Sequence, residues 1–185
     1  ALVNSDVKFI DDALLKLVEF LEKTPDCGIV SSNLVGYDMQ SQSLHRGFPT
    51  PSTVFFTMTS FGRFIDSRVF QSKFSKRYRL RNIERRGVKI VDQAAGALMV
   101  MTRTTVEAVG GLFDECFPIY GNDVDLSKRV WDFGFKIYVL YDLIIVHKGS
   151  ASLNKINRKK KQIMQRQWLH DYYINHETKF NRLML

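Results

Sequence analysis

Asp11-Asp12-Ala13-Leu14-Leu15-Lys16-Leu17-Val18-Glu19-Phe20-Leu21-Glu22-Lys23, then Pro25-Asp26, then Gly28-Ile29-Val30-Ser31-Ser32-Asn33-Leu34-Val35, is the stretch that decides the fold class. Leu14, Leu17, Val18 and Leu21 fall at i, i+3, i+4 and i+7, the stripe of a helix laid on a sheet, and Asp11 or Asp12 stands where a cap belongs. Pro25-Asp26 breaks the helix, and the run from Gly28 to Val35 reads as the next strand. Upstream, residues 2 to 5 read as the end of a buried strand. Strand, helix, strand is the building unit of an α/β fold.

Downstream the pattern loosens from Gly36 to Lys89, where Pro49, Pro51 and a Phe-rich run predict an irregular excursion with one amphipathic helix near residues 52 to 65. Order returns at Val88-Lys89-Ile90-Val91-Asp92 and Gly96-Ala97-Leu98-Met99-Val100-Met101, read as a strand pair. Thr104 to Val109 predicts a short helix stopped by Gly110-Gly111. Asn122 or Asp123 can cap a further helix with Leu126, Val130 and Phe133 inward and Gly134 just past its end. Strands at Phe135 to Leu140 and Leu143 to Val146 follow, and the tail from Asn154 is helical in composition, with Ile156, Ile163, Trp168 and Tyr172 among basic residues.

With 45% hydrophobic and 25% charged residues, the 185-residue chain has the composition of one globular domain, which excludes disorder and collagen. Its apolar runs, such as Leu143 to Val146, fall far short of the roughly 20 residues that cross a bilayer. The start carries neither a basic n-region nor an initiating Met, so it reads as a chain entered in mid-strand. Cys27 and Cys116 lie 89 positions apart and offer neither a zinc pattern nor a disulfide framework, which points to a reducing, cytoplasmic setting. The net charge of +8 is uneven: residues 63–89 carry +8 and residues 148–185 carry +7, while 1–62 and 90–147 carry −3 and −4. Two basic blocks on an acidic body suit phosphates, nucleic acid or anionic lipid head groups, or are simply solvated faces.

Three polar clusters stand at strand ends, where open α/β sheets place their ligands. Asn4-Ser5-Asp6 can hold a divalent cation through its carboxylate, or be a surface turn. Asn122-Asp123-Val124-Asp125 puts two acids at i and i+2, which point differently, so one can face a cleft while the other packs; plain capping is the alternative. His147 follows an apolar strand and is either a hydrogen-bonded structural residue or a metal ligand.

In order and spacing these clusters resemble one family, the family 2 glycosyltransferases of the GT-A fold, in the rhamnosyltransferase-like branch. Leu2-Val3-Asn4-Ser5-Asp6 stands where that branch has Leu-Asn-Pro-Asp, and Pro25-Asp26-Cys27-Gly28 where it has a Pro-Asp-hydrophobic-Gly turn. Ala95-Gly96-Ala97, Val109-Gly110-Gly111-Leu112-Phe113-Asp114-Glu115, Asn122-Asp123-Val124-Asp125-Leu126 and Val146-His147 match its later motifs. The resemblance implies the C-terminal two-thirds of a GT-A domain over residues 1–152, a mixed sheet flanked by helices, followed by a basic amphipathic helical extension over 153–185.

For function, the resemblance implies an inverting transfer of a sugar from a UDP- or dTDP-linked donor to a glycan or lipid-linked acceptor, in cell-surface polysaccharide synthesis. Asn4 and Asp6 would contact the donor diphosphate, Asp6 and His147 would bind Mn²⁺ or Mg²⁺, and Asp123 would be the general base. Gly96, Ala97 and Asn122 would line the acceptor side, while Asp125 is expected to be structural. Asn122 departs from the family's Glu at that place and removes a charge beside the base. Such enzymes begin with roughly 80 to 90 residues that bind the nucleotide, so this chain is expected not to transfer sugar alone. Trp168, Tyr172 and Tyr173 among Lys and Arg have the composition of an interfacial helix, which predicts peripheral contact with the anionic inner face of the membrane. A non-catalytic module for RNA or another polyanion, favoured by the pI of about 9.5, and a degenerate scaffold are the competing readings.

Overall fold

A computed structural model describes residues 1–68, 73–149 and 157–176. In chain order the elements are β1 (Leu2–Val3), β2 (Val7–Lys8), α1 (Ala13–Lys23), β3 (Cys27–Val35), α2 (Pro51–Met58), α3 (Ser60–Arg68), α4 (Lys73–Tyr78), β4 (Val88–Ile90), β5 (Leu98–Met99), α5 (Arg103–Ala108), α6 (Asn122–Asp132), β6 (Lys136–His147) and α7 (Arg158–His176). The architecture is α/β, a mixed sheet flanked by helices.

β6 is the hub. β3 runs parallel to it from Cys27↔Lys136 to Val35↔Val146, while β4 and β2 pair antiparallel with it at Tyr138–Leu140 and Val146–His147. Beyond β3, Val30 and Val100 exchange both backbone hydrogen bonds at 2.9 Å, and β5 pairs antiparallel with β1. Because successive strand residues face opposite sides, β3 and β6 feed two cores. Ile29, Ile137 and Val139 pack with Leu126 and Val130 of α6, whereas Val30, Leu34 and Ile145 pack with Ala13, Leu17 and Leu21 of α1. A third cluster joins Val54 of α2, Phe117 and Val124 to Trp168, Leu169, Tyr172 and Tyr173 of α7.

Several expectations are corrected. The first strand is short and lies at the edge, since Leu2–Val3 pairs antiparallel and Val3 is exposed; Asn4 N donating to Ala97 O and Val7 N to Asn4 O turn the chain at once into β2. The buried line of α1 is Ala13, Leu17, Leu21, with Leu14 40% exposed, and Asp12 flanks the helix without a side-chain capping bond. Among its described residues the excursion holds three helices; the expected helix near 52–65 is divided at Thr59, whose extended backbone separates α2 from α3. β4 and β5 do not pair with each other but go to β6 and β1. The two late strands are one: β6 continues through Tyr141–Leu143, where the partner of β3 jumps from Leu140 to Ile144 as a bulge. Phe133 is 60% exposed because α6 has ended before it.

α5 sits as expected, with the Thr102 hydroxyl accepting from Thr105 N at its start and Gly110 and Gly111 in the left-handed region at its end. In the tail, Ile163 is exposed while Trp168 and Tyr172 are buried; Ile156 lies outside the described residues. Among the described residues no helix is long and apolar enough to cross a membrane.

Candidate active site at the carboxyl ends of β3 and β6

Antiparallel pairing of Val7 with His147 brings the turn before β2 against the last residue of β6. Asp6 is thereby bound twice: its carbonyl accepts from Lys148 N at 3.0 Å and its Oδ2 from Gly149 N at 3.1 Å. Its free oxygen, Oδ1, lies 3.4 Å from His147 Nε2. On the other side of the ring, Gln42 Nε2 donates to the His147 carbonyl at 2.6 Å, which leaves Gln42 Oε1 to accept from His147 Nδ1 at 2.7 Å. With Nδ1 turned to Gln42, Nε2 is the ring nitrogen that faces the Asp6 carboxylate. One carboxylate oxygen and one imidazole nitrogen therefore converge on the same space, a donor set that fits a divalent cation whose other ligands are water and phosphate oxygens. Among the described residues no group of three or more His, Cys, Asp or Glu side chains comes together, so Asp6 and His147 are a two-residue set.

Asp123 belongs to the first turn of α6. Gly121, not Asn122 or Asp123, is the cap, with φ +86°; a β-carbon there would stand 2.9 Å from Trp168 Cε3, so both backbone and packing require glycine. Asp123 Oδ1 accepts from Val124 N at 3.0 Å and Oδ2 from Gly96 N at 3.3 Å, while Asn122 Oδ1 accepts from Asp123 N at 2.8 Å. Gly96 also permits close approach, since a β-carbon there would lie 3.2 Å from Asp123 Cβ. The Asp123 carboxylate lines a cavity of about 700 Å³ whose walls include Arg46, Tyr78, Gln93, Arg166 and Trp168. Burial pushes its carboxyl up, against the pull of the Gly96 and Val124 N–H groups and of Arg46.

The segment 95–97 joins the two groups: Gly96 N reaches Asp123 and Ala97 O accepts from Asn4 N at 2.9 Å. Of the anticipated residues, Asp6 stands with His147, and Gly96 and Asn122 stand with Asp123. Ala97 is buried and meets Asn4 through the backbone, and Asn4 itself is exposed. Asp125 turns away, as its helical spacing requires: Oδ2 accepts from Arg129 Nε and Nη2 at 3.0 and 2.8 Å, and Oδ1 pairs with His176 Nε2 at 2.7 Å.

Four residues at the site escaped sequence reasoning. Gln42 orients His147. His45 is buried, and its Nδ1 accepts from Ala95 N at 3.2 Å, so its Nε2–H donates to Ser32 O at 2.9 Å, which ties the 95–97 segment to β3. Burial holds its pKa down at about 4. Arg46 and Tyr78 wall the cavity. Gln40-Ser41-Gln42-Ser43-Leu44-His45-Arg46 follows a strand end directly, and that position was the available signal.

α7 differs from the expected interfacial helix. Trp168, Tyr172 and Tyr173 are buried against Phe117 and Val124, where Tyr173 Oη donates to Pro49 O at 2.8 Å, so they form a wall of the domain and offer nothing to a membrane. No protein-family model matches the chain, and no curated protein shows significant sequence similarity to it.

Proposed function

We propose that this chain is the metal-, base- and acceptor-bearing part of a GT-A glycosyltransferase of family 2, transferring a sugar with inversion from a UDP- or dTDP-linked donor to a glycan or lipid-linked acceptor in cell-surface polysaccharide synthesis. The observation that carries the reading is Asp123: a carboxylate with a raised pKa, oriented by two backbone N–H groups, at the wall of a cavity large enough for a sugar. Its motif neighbours and the Asp6–His147 pair at the ends of the parallel strands support the same assignment.

Asp123 accepts the proton of the acceptor hydroxyl as that oxygen bonds to the anomeric carbon; the bond from that carbon to the diphosphate oxygen breaks, and its electron pair leaves with the nucleoside diphosphate. A base of raised pKa within a partly closed site suits this step, because proton transfer gains as the carboxyl approaches the operating pH. Gly96 N and Val124 N hold the carboxylate in place. Asp6 and His147 would hold Mn²⁺ or Mg²⁺, which when bound stabilises negative charge on the diphosphate. Gln42 fixes the ring that presents Nε2.

Peripheral contact with anionic lipid belongs to the same proposal, resting on Lys159, Lys160 and the exposed Phe61 and Phe64 instead of on the buried aromatics of α7, and so does cytoplasmic residence, resting on the cysteine usage. The test is incubation of the native gene product with nucleotide sugars and Mn²⁺, followed by NMR of the product's anomeric centre. Inversion, suppressed by EDTA, is expected; a retained configuration removes Asp123 from the role of base.

A further inference from the structure

We propose that the arginine-lined pocket beside the Asp123 cavity is an oxyanion subsite, and that the hydroxyl presented to Asp123 belongs to an acceptor bearing a phosphate or diphosphate group. The word acceptor rests on the transferase reading; the anion site does not.

The pocket, about 440 Å³, is lined by Arg46, Arg79, Arg81 and Arg85 together with Gln42 and Tyr78, and no Asp or Glu lines it. Among the described residues none of the four guanidinium groups lies within ion-pair distance of a carboxylate. Arg46 donates instead to the carbonyls of Ser43 and His45, and Arg85 to Ser41 Oγ at 3.2 Å. Arg46 is half-buried; burial presses its pKa down, and Arg79 and Arg85 add to that pressure, although a guanidinium stays charged. Asp123 acts on Arg46 from the neighbouring cavity, but no carboxylate stands on the walls of this pocket, so its four cations repel one another, and a bound oxyanion removes the repulsion while matching the planar donor forks.

The backbone is strained at this place. Leu80, between Arg79 and Arg81, has φ +50°, and Ser43 on the opposite wall has φ +47°. That region is unfavourable for an L-residue, and Leu80 is held there by burial in the core under β6. The turn it makes sends both flanking arginines into one pocket.

The choice of acceptor over donor follows from the walls. Arg46, Thr57, Met58 and Tyr78 are common to this pocket and to the Asp123 cavity, whereas only Gln42 leads toward His147. An anion held here therefore belongs to the molecule on the base's side.

The experiment is calorimetric titration of the whole chain with inorganic pyrophosphate at fixed ionic strength in EDTA. Saturable binding is expected, weakened at least tenfold in R79Q/R81Q with unchanged circular dichroism and unaffected in D6N; R85Q serves if the double variant does not fold. Absent binding, equal binding in R79Q/R81Q and R85Q, or binding that needs Mg²⁺ and vanishes in D6N overturns the proposal. Repeating the titration on the native gene product at saturating uridine or thymidine diphosphate with Mn²⁺ separates the sources. Persisting pyrophosphate binding supports the acceptor, while displacement assigns the pocket to the donor and overturns that half. Displacement by a short RNA at lower concentration moves the pocket to a nucleic-acid role and overturns it as well. Pyrophosphate binding that persists when the native gene product is shown to lack transferase activity leaves the anion site standing and removes only the acceptor.

Discussion

Asp123 and Asp125 stand two residues apart in the first turn of α6 and meet opposite surroundings. The cavity side gives Asp123 only backbone N–H groups and the distant charge of Arg46, and burial raises its carboxyl. The α7 side also buries Asp125, which alone would raise it, but hydrogen bonds from His176 and Arg129 overcome that and hold it below the ordinary value. A carboxylate kept without an ion-paired partner retains a use for a proton, whereas one clamped between a guanidinium and an imidazole has become a structural joint. Arg129 extends that joint by donating to the carbonyls of Val109, Gly111 and Leu112, so Asp125 ties α6 to both the end of α5 and the end of α7.

The comparison breaks most visibly under two substitutions. Asp123→Asn keeps one acceptor oxygen, enough for either the Gly96 or the Val124 N–H but not both, and cannot take a proton, so turnover of the native gene product should fall by about 10²–10⁴ with donor affinity unchanged. A raised native pKa means that the ionised form costs stability as pH rises past the ordinary carboxyl value, so in this variant relief of the buried charge offsets the lost N–H acceptor and the melting temperature at pH 7 should stay close to wild type; a melting-temperature deficit that grows as pH rises from 4 to 7 in thermal scans would show that the charge is structural. Asp125→Ala should do the reverse. Removing one member of a buried ion pair typically costs about 3–5 kcal/mol, read as a lower denaturation midpoint, and any turnover loss should scale with the unfolded fraction.

His45 sharpens the same distinction on the other side of the cavity. Its ring is neutral, buried and doubly bonded, and its native pKa of about 4 lies below the ordinary value of 6.5. The unfolded chain therefore takes up a proton first: the stability His45 contributes is complete above pH 6.5 and is lost as pH falls toward 4, on the order of 3 kcal/mol in all. His45→Gln should flatten acid unfolding over that window. It should also loosen the 95–97 segment, which would reach Asp123 through Gly96 and appear as a change in kcat with little change in donor affinity.

How much of this was legible varies with the range of the interactions. α1, β3, α5 and α6 follow local rules, and their bounds are close to those expected. What local rules miss is pairing: the apolar runs at 88–92 and 96–101 look alike, yet one joins β6 and the other β1, a choice made by long-range packing. Periodicity stops where a strand bulges, which is why β6 reads as two strands around Tyr141–Leu143. At the site, the residues at strand and helix ends could be singled out by position, but Gln42, His45 and Arg46 matter only because a loop folds back over β3. The aromatic face of α7 carried an ambiguous signal, since Trp and Tyr among basic residues suit a membrane interface and a domain core equally.

The smallest effect isolates the contribution of α7. His176→Ala removes one of the two side chains bonded to Asp125 and leaves the Arg129 pair intact, so the cost should be about 1.5 kcal/mol, that of a single hydrogen bond to a charged carboxylate. The pH dependence carries the sign. Because the Asp125 carboxyl is held low, its contribution is present above the ordinary carboxyl value and disappears as pH falls through the lower native one. Without His176 the native value moves upward, and the acid-sensitive part of the unfolding curve should shrink. If His176→Ala instead costs as much as Asp125→Ala, then α7 is held chiefly through this one contact, and Trp168, Leu169, Tyr172 and Tyr173 contribute less than their burial implies. If it costs nothing, the aromatic face alone anchors α7, and Asp125 serves only the Arg129 joint.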